Sequence, residues 1–265
     1  MTDPIRFDDG ASYERYMGVW SQLAGAAFLD WLALPAGRRW LDVGCGNGAF
    51  TELLAARGAP ATLHGVDPSM AQLAFARTRP ALRDADLREG NAMALPYPDD
   101  TFDVAVMPLV IFFVPNPATG VAEMARVVSP GGVVTAYAWD MHGGGFPYHV
   151  VQREMRDLGT VLPAPPSPEA SRREVMAALW RESGLIDVEL YDITVQRTFA
   201  SFDEFWAIVV GWDAVGRTIE TMAPEAIAQL TARLRACLTA DDSGRMTVSA
   251  RANAVRGRVP PALRA

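Results

Sequence analysis

The sequence predicts an α/β fold of the Rossmann-like, doubly wound kind, and three observations carry the prediction. Leu41-Asp42-Val43-Gly44-Cys45-Gly46-Asn47-Gly48 reads as the end of a buried strand running into a glycine-rich turn, with a helix opening at Ala49. Strand-like and helix-like stretches then alternate, with strands expected over 61–67, 102–107 and 133–139. Finally, residues 186–198 and 246–256 read as antiparallel partners on either side of a helical insertion.

In chain order, residues 12–34 form an amphipathic helical stretch in which Tyr13, Tyr16, Met17, Trp20, Leu23, Ala27 and Trp31 recur at helical intervals. Pro35-Ala36-Gly37 ends it. The glycine turn follows strand one, and in open α/β sheets ligands bind beyond the carboxyl ends of the strands where the topology switches. Asp67 closes strand two, where a carboxylate can accept hydrogen bonds from both hydroxyls of a ribose, while Ser69 is placed to cap the next helix. The glycines alone also fit a dinucleotide pattern, with Asp67 about twenty residues on as that pattern asks. His64 sits inside strand two and reads as a packed histidine. Of the adjacent Phe112 and Phe113, one is expected in the core and the other in a pocket, since neighbours on a helical turn face apart. Beyond strand five come a three-glycine loop at 143–145, helices over 148–158 and 172–182, and a proline-rich loop at 163–168. The insertion at 201–240 carries Phe202, Phe205, Trp206 and Trp212 and reads as two or three helices.

Composition bounds the function. A chain of 265 residues, 50% hydrophobic and 21% charged, suits one globular domain, 1–265, able to bury a large core. No apolar run reaches membrane-spanning length, and Met1-Thr2-Asp3-Pro4 lacks a basic and apolar signal region, so a cytoplasmic protein with no membrane partner is expected. All 24 basic residues are arginine, which removes Schiff-base chemistry and the phosphate-binding lysine of a P-loop. A net charge of −7 argues against a nucleic-acid partner. Three histidines and two cysteines, widely spaced, offer no zinc-like cluster, and no metal is expected.

Three segments, in order, resemble the class I S-adenosylmethionine-dependent methyltransferases of the type 11 domain. They are the glycine turn with Asp42 two places before Gly44, the block Gly90-Asn91-Ala92-Met93-Ala94-Leu95-Pro96 leading to Phe102-Asp103, and Ser129-Pro130-Gly131-Gly132 before strand five. The resemblance implies a seven-stranded, mostly parallel sheet ending in an antiparallel hairpin. It also implies a lid helix at 12–34, a cofactor core at 35–139, and an acceptor side at 140–265 with a helical cap around 201–240. The cofactor is expected to be S-adenosyl-L-methionine, held by Asp42, Gly44, Cys45 and Gly46 at the turn and by Asp67, Pro68 and Met70 at the nucleoside. Asn91, Ala92 and Met93 are expected at the adenine edge, with Asn91 standing where the family has aspartate. The backbone of Met107 and Pro108 would meet the methionine end, and Tyr16 and Met17 would reach in from the lid. Methyl transfer to oxygen or nitrogen can need a base; His142, His149 and Asp140, after strand five, are the catalytic candidates. The implied activity is methyl transfer to a small, largely apolar molecule. The alternatives are a non-catalytic sensor or partner subunit that binds the same cofactor, and a nicotinamide-dependent oxidoreductase.

Overall fold

The computed structural model describes residues 14–160 and 162–262, so Ser12 and Tyr13 of the expected first helix lie outside the described residues. Seven strands form one sheet in the order β3-β2-β1-β4-β5-β7-β6. They are β1 (Arg39–Val43), β2 (Thr62–Asp67), β3 (Asp86–Glu89), β4 (Phe102–Pro108), β5 (Val128–Trp139), β6 (Ile186–Phe199) and β7 (Met246–Arg258). The first five pair parallel, and β7 runs antiparallel to both β5 and β6. This is the sheet that the resemblance implies, terminal hairpin included.

Central position explains composition: β1 and β4 are almost wholly buried, as parallel strands covered on both faces must be, whereas the edge strand β6 alternates. The chain builds outward from β1 to β3 and then returns to β4 on the other side. That reversal opens a crevice between β1 and β4 at their carboxyl ends.

The helices are α1 (Val19–Leu32), α2 (Ala49–Gly58), α3 (Met70–Ala76), α4 (Pro117–Val127), α5 (His149–Asp157), α6 (Arg173–Glu182), α7 (Phe202–Val210), α8 (Asp213–Glu220) and α9 (Pro224–Cys237). A π-helical turn, Glu14–Gly18, leads into α1. Caps set several starts. Ser69 accepts the Gln72 N–H at α3, Asn116 accepts the Thr119 N–H at α4, and Ser201 accepts the Glu204 N–H at α7. The insertion forms the three helices α7 to α9.

Helix α1 packs on α2 and β6. Gly25 permits the close approach, since a Cβ there would lie 2.9 Å from Leu53 and 3.0 Å from Phe50. A charge cluster ties the turn before α1 to the glycine turn: Arg79 donates to Glu14 at 2.7 Å, to Glu52 at 2.5 Å and to the Asn47 carbonyl at 2.7 Å. On β5, Trp180 of α6 is fully buried and donates from Nε1 to the Val134 carbonyl at 2.9 Å.

Strand β5 differs from expectation at its start. It begins at Val128, which pairs with Phe102, and the register then shifts so that Val104 meets Val133. The Ser-Pro-Gly-Gly segment is therefore an irregularity within the strand, anchored where the Gly131 N–H reaches the Val259 carbonyl at 2.9 Å. Among the described residues no helix is long and apolar enough to cross a membrane, and no group of three or more His, Cys, Asp or Glu side chains could hold a metal ion.

Candidate active site

The glycine turn hangs from β2. The Gly44 and Cys45 N–H groups both donate to the Val66 carbonyl, at 2.7 and 3.1 Å. Gly44 has φ +79°, and a Cβ on it would stand 2.6 Å from the Val110 methyls, so only glycine fits between the two loops. Asp67 then locks the turn to the next helix: its Oδ2 accepts the Gly46 N–H at 2.9 Å and its Oδ1 accepts the Ser69 N–H at 2.8 Å. Burial pushes its carboxyl up, and those two N–H groups pull it back.

Beside this carboxylate lies a cavity of about 430 Å³, a size typical of small-molecule sites. Gly44, Cys45, Gly46, Asp67, Pro68, Asn91, Ala92, Met93 and Pro108 all line it. Nine of the residues read from the sequence thus meet at one cavity. Asn91 turns its carboxamide oxygen to the Met93 N–H at 2.9 Å, which fixes the loop while leaving that oxygen a second lone pair.

The other five sit elsewhere. Asp42 lies beneath the turn, fully buried, with its Oδ2 accepting the Thr51 hydroxyl at 2.7 Å. The Met107 side chain is buried under α4, because alternate strand residues point to opposite faces; the expected contact is with its backbone, which leads into Pro108 in the cavity lining. Met70 is half exposed at the start of α3, and Ser69 and Gln72 line the cavity instead. Tyr16 and Met17 line a second, smaller cavity of about 60 Å³. From α1 it is Ser21, one turn further on, that lines the larger cavity, and its buried hydroxyl finds no partner among the described residues. Ser21 was missed in the sequence, although a hydroxyl on an otherwise apolar helix face was a readable signal.

Asp42 makes a testable prediction. Burial raises its carboxyl to about 7; the Thr51 hydroxyl opposes that shift and Asp67 adds to it. A folded pKa above the ordinary value means that the protonated form stabilises the fold, so stability is full below pH about 4 and is lost as pH rises through about 7. Asp42→Asn cannot ionise and should flatten this decline in urea denaturation measured from about pH 4 to about pH 8. Parallel profiles for the two proteins would contradict it.

The smaller cavity shares Leu109 and Phe113 with the larger one. Phe112 lines it too, so both adjacent aromatics face this cavity, contrary to the expected division. Leu109 has φ 59°, a strained conformation for a branched side chain, and is held there by its N–H donated to the Tyr137 carbonyl at 2.7 Å. Tyr16 is stacked between Tyr148 and Trp212, with centroids 4.2 and 4.4 Å away. The Tyr148 hydroxyl donates to the Tyr16 carbonyl at 2.9 Å and accepts the Trp20 indole N–H at 3.2 Å.

None of the three catalytic candidates lines either cavity, although Met141, between Asp140 and His142, lines the smaller one. His142 pairs with Glu169 at 2.9 Å and lies 3.4 Å from Arg172. Asp140 accepts the Gly143 N–H at 2.8 Å and is paired with Arg251. His149 opens α5 with its ring against Gly144, and burial together with Arg153 and Arg156 holds it below the usual imidazole range. The physical reason is the three-glycine loop: Gly145 donates to the Asp140 carbonyl at 2.8 Å and accepts the Arg251 N–H at 2.9 Å, folding the segment back onto β7.

A family model described as a methyltransferase domain matches residues 41–136, from β1 into β5. Demethylmenaquinone methyltransferase of Bacillus licheniformis is 35% identical over 176 residues, covering 61% of this chain and 76% of that protein. The chain belongs to the S-adenosylmethionine-dependent methyltransferases. A second relative in this family, 2-phytyl-1,4-naphtoquinone methyltransferase of Thermosynechococcus vestitus, is 36% identical over 116 residues, covering 43% of this chain and 50% of that protein. Among solved structures, the YcgJ protein of Bacillus subtilis superposes with a TM-score of 0.58 at 16% identity, covering 89% of this chain and 98% of that one, a likeness of fold. Membership makes this methyltransferase an enzyme that takes its methyl group from S-adenosylmethionine, and it sets aside the nicotinamide alternative left open by the glycines.

Proposed function

We propose that this methyltransferase alkylates a small, largely apolar, ring-bearing acceptor, with the donor in the larger cavity and the acceptor in the smaller. The adjacency of the two cavities carries this reading: Leu109 and Phe113 line both, so a donor in one lies next to an acceptor in the other. The larger cavity suits the donor on two observations. At Gly46 no side chain stands where a Cβ would be, which leaves the turn's backbone open, and Ser21 presents a buried hydroxyl without a partner among the described residues. In this reading the Asp67 carboxylate accepts the ribose hydroxyls, the Asn91 oxygen and the Ala92 and Met93 backbone meet the adenine edge, and Gly44 and Gly46 allow close backbone approach. Residues 35–139 then form the donor side of a single domain. The acceptor side draws on 140–265 and also on Tyr16 and Met17, which precede β1.

When bound, the donor supplies a methyl carbon already activated by its sulfonium. What remains for the chain is alignment and the exclusion of water. Phe112, Trp139, Phe146 and Trp212 give the smaller cavity flat apolar walls, and its lining among the described residues holds no histidine or carboxylate. Such walls suit an acceptor whose nucleophilic atom is activated by its own ring. The names of the two relatives, one a demethylmenaquinone and the other a naphtoquinone methyltransferase, point to the same kind of molecule. At about 60 Å³ the closed cavity is too tight for a ring, since benzene occupies engineered cavities of about 150 Å³. Acceptor binding must therefore widen this cavity.

Calorimetric titration with S-adenosylmethionine, S-adenosylhomocysteine and NAD tests the donor reading. The two sulfur compounds should bind and NAD should not. Binding of NAD, or of none of the three, would overturn it.

A further inference from the structure

The smaller cavity is apolar by area, yet two of its walls carry buried hydrogen-bond donors that the protein leaves unused. Tyr16 is 2% exposed and Trp139 is 1% exposed. Both line the cavity, and neither the Tyr16 hydroxyl nor the Trp139 Nε1 has a partner among the described residues. Folded proteins satisfy nearly all buried polar groups, so two unsatisfied donors at one cavity call for an explanation. Neither donor atom is open to water in the free enzyme, and an acceptor oxygen that entered as the cavity widened would satisfy both.

We propose that the Tyr16 hydroxyl and the Trp139 indole N–H anchor an oxygen substituent of the acceptor, so that the enzyme selects a hydroxyl- or carbonyl-bearing aromatic over a hydrocarbon ring of the same shape. The inference rests on the reading of the smaller cavity as the acceptor site. Tyr16 is built for such a role. Its ring is clamped between Tyr148 and Trp212, and its backbone carbonyl is held by the Tyr148 hydroxyl, so the hydroxyl cannot swing away to find water. Burial, reinforced by Tyr148, raises its pKa well above that of an ordinary phenol, which keeps it a donor over the whole working pH range. Trp139 is donor only, and it is fixed at the end of β5. Gln152 of α5 completes the polar set with a carboxamide that can accept from an acceptor hydroxyl as well as donate to it. The remaining side chains of the lining used here, Met17, Phe112 and Phe146, are apolar and only shape the ring site.

The test compares two probes that differ by one group, 2-naphthol and 2-methylnaphthalene, by equilibrium dialysis against the full chain saturated with S-adenosylhomocysteine. The wild-type protein should prefer 2-naphthol by about 10-fold, the worth of one or two buried hydrogen bonds. Tyr16→Phe keeps the stacked ring and removes only the hydroxyl. It should lower 2-naphthol affinity by roughly 5-fold to 10-fold and leave both 2-methylnaphthalene and S-adenosylhomocysteine unchanged. The hydrocarbon arm reports that the cavity is intact, so misfolding cannot imitate the result. Trp139→Phe gives a second, independent removal of a donor. A wild-type protein that shows no preference, or a preference that survives both substitutions, overturns the inference. If the wild-type protein fails to bind S-adenosylhomocysteine, the donor reading falls, and the inference with it. If that ligand binds while the naphthol preference is absent, the inference alone is lost.

Discussion

Asp67→Ala should lower the affinity for S-adenosylhomocysteine by about 100-fold, because hydrogen bonds to a charged group are worth roughly 1.5–3 kcal/mol and the ribose offers two hydroxyls. The same carboxylate holds the Gly46 and Ser69 N–H groups. Its loss therefore also loosens the turn and the start of α3, at a cost of about 1–2 kcal/mol in stability. Asp67→Asn keeps one acceptor oxygen and should fall between the two, near a 10-fold loss. Calorimetry on all three proteins, with urea denaturation alongside, separates binding from folding. An alanine variant that bound within threefold of the wild type would remove Asp67 from the donor site.

The largest effect on folding is expected at Trp180→Ala, with a loss of about 4 kcal/mol. The indole is fully buried between α6 and the sheet, close enough that a Cβ on Gly257 would stand 2.8 Å from its ring, and it donates to the Val134 carbonyl. Alanine would leave a cavity with little able to collapse into it, since the sheet behind it is rigid and α6 is short. Trp180→Phe refills most of the volume and should recover about half of the loss. Trp180 lines neither cavity, so the fraction that stays folded should bind S-adenosylhomocysteine as tightly as the wild type does. Urea midpoints measure the first effect and calorimetry the second. A loss below about 1.5 kcal/mol would show that α6 re-packs onto the sheet.

What could be read in the sequence, and what could not, divides along the range of the interactions involved. The glycine turn, Asp67 and the block from Asn91 to Met93 are legible because much of their chemistry is written within a few residues: the positive φ at Gly44 calls for glycine within the turn itself. The strands β6 and β7 are legible for the same reason, since alternation is a local pattern. Tyr16 and Met17 line the smaller cavity and not the larger one. Helical spacing tells which residues share a face but not which neighbour that face meets, and here the neighbours are Tyr148 and Trp212, far along the chain. Strand parity sends the Met107 side chain away from the larger cavity but leaves the expectation about its backbone untouched. His142 and Asp140 look like candidate bases until Glu169 and Arg251 come back to claim them, the latter 111 residues later. No local signal announces such a partner.

The residues shared by the two cavities also tie their occupants together. On the proposed reading, whatever fills the donor cavity presses on Leu109 and Phe113 and so reshapes the acceptor cavity. Linkage makes that influence reciprocal: a donor product that tightens acceptor binding must itself be held more tightly, by the same factor, when the acceptor is present.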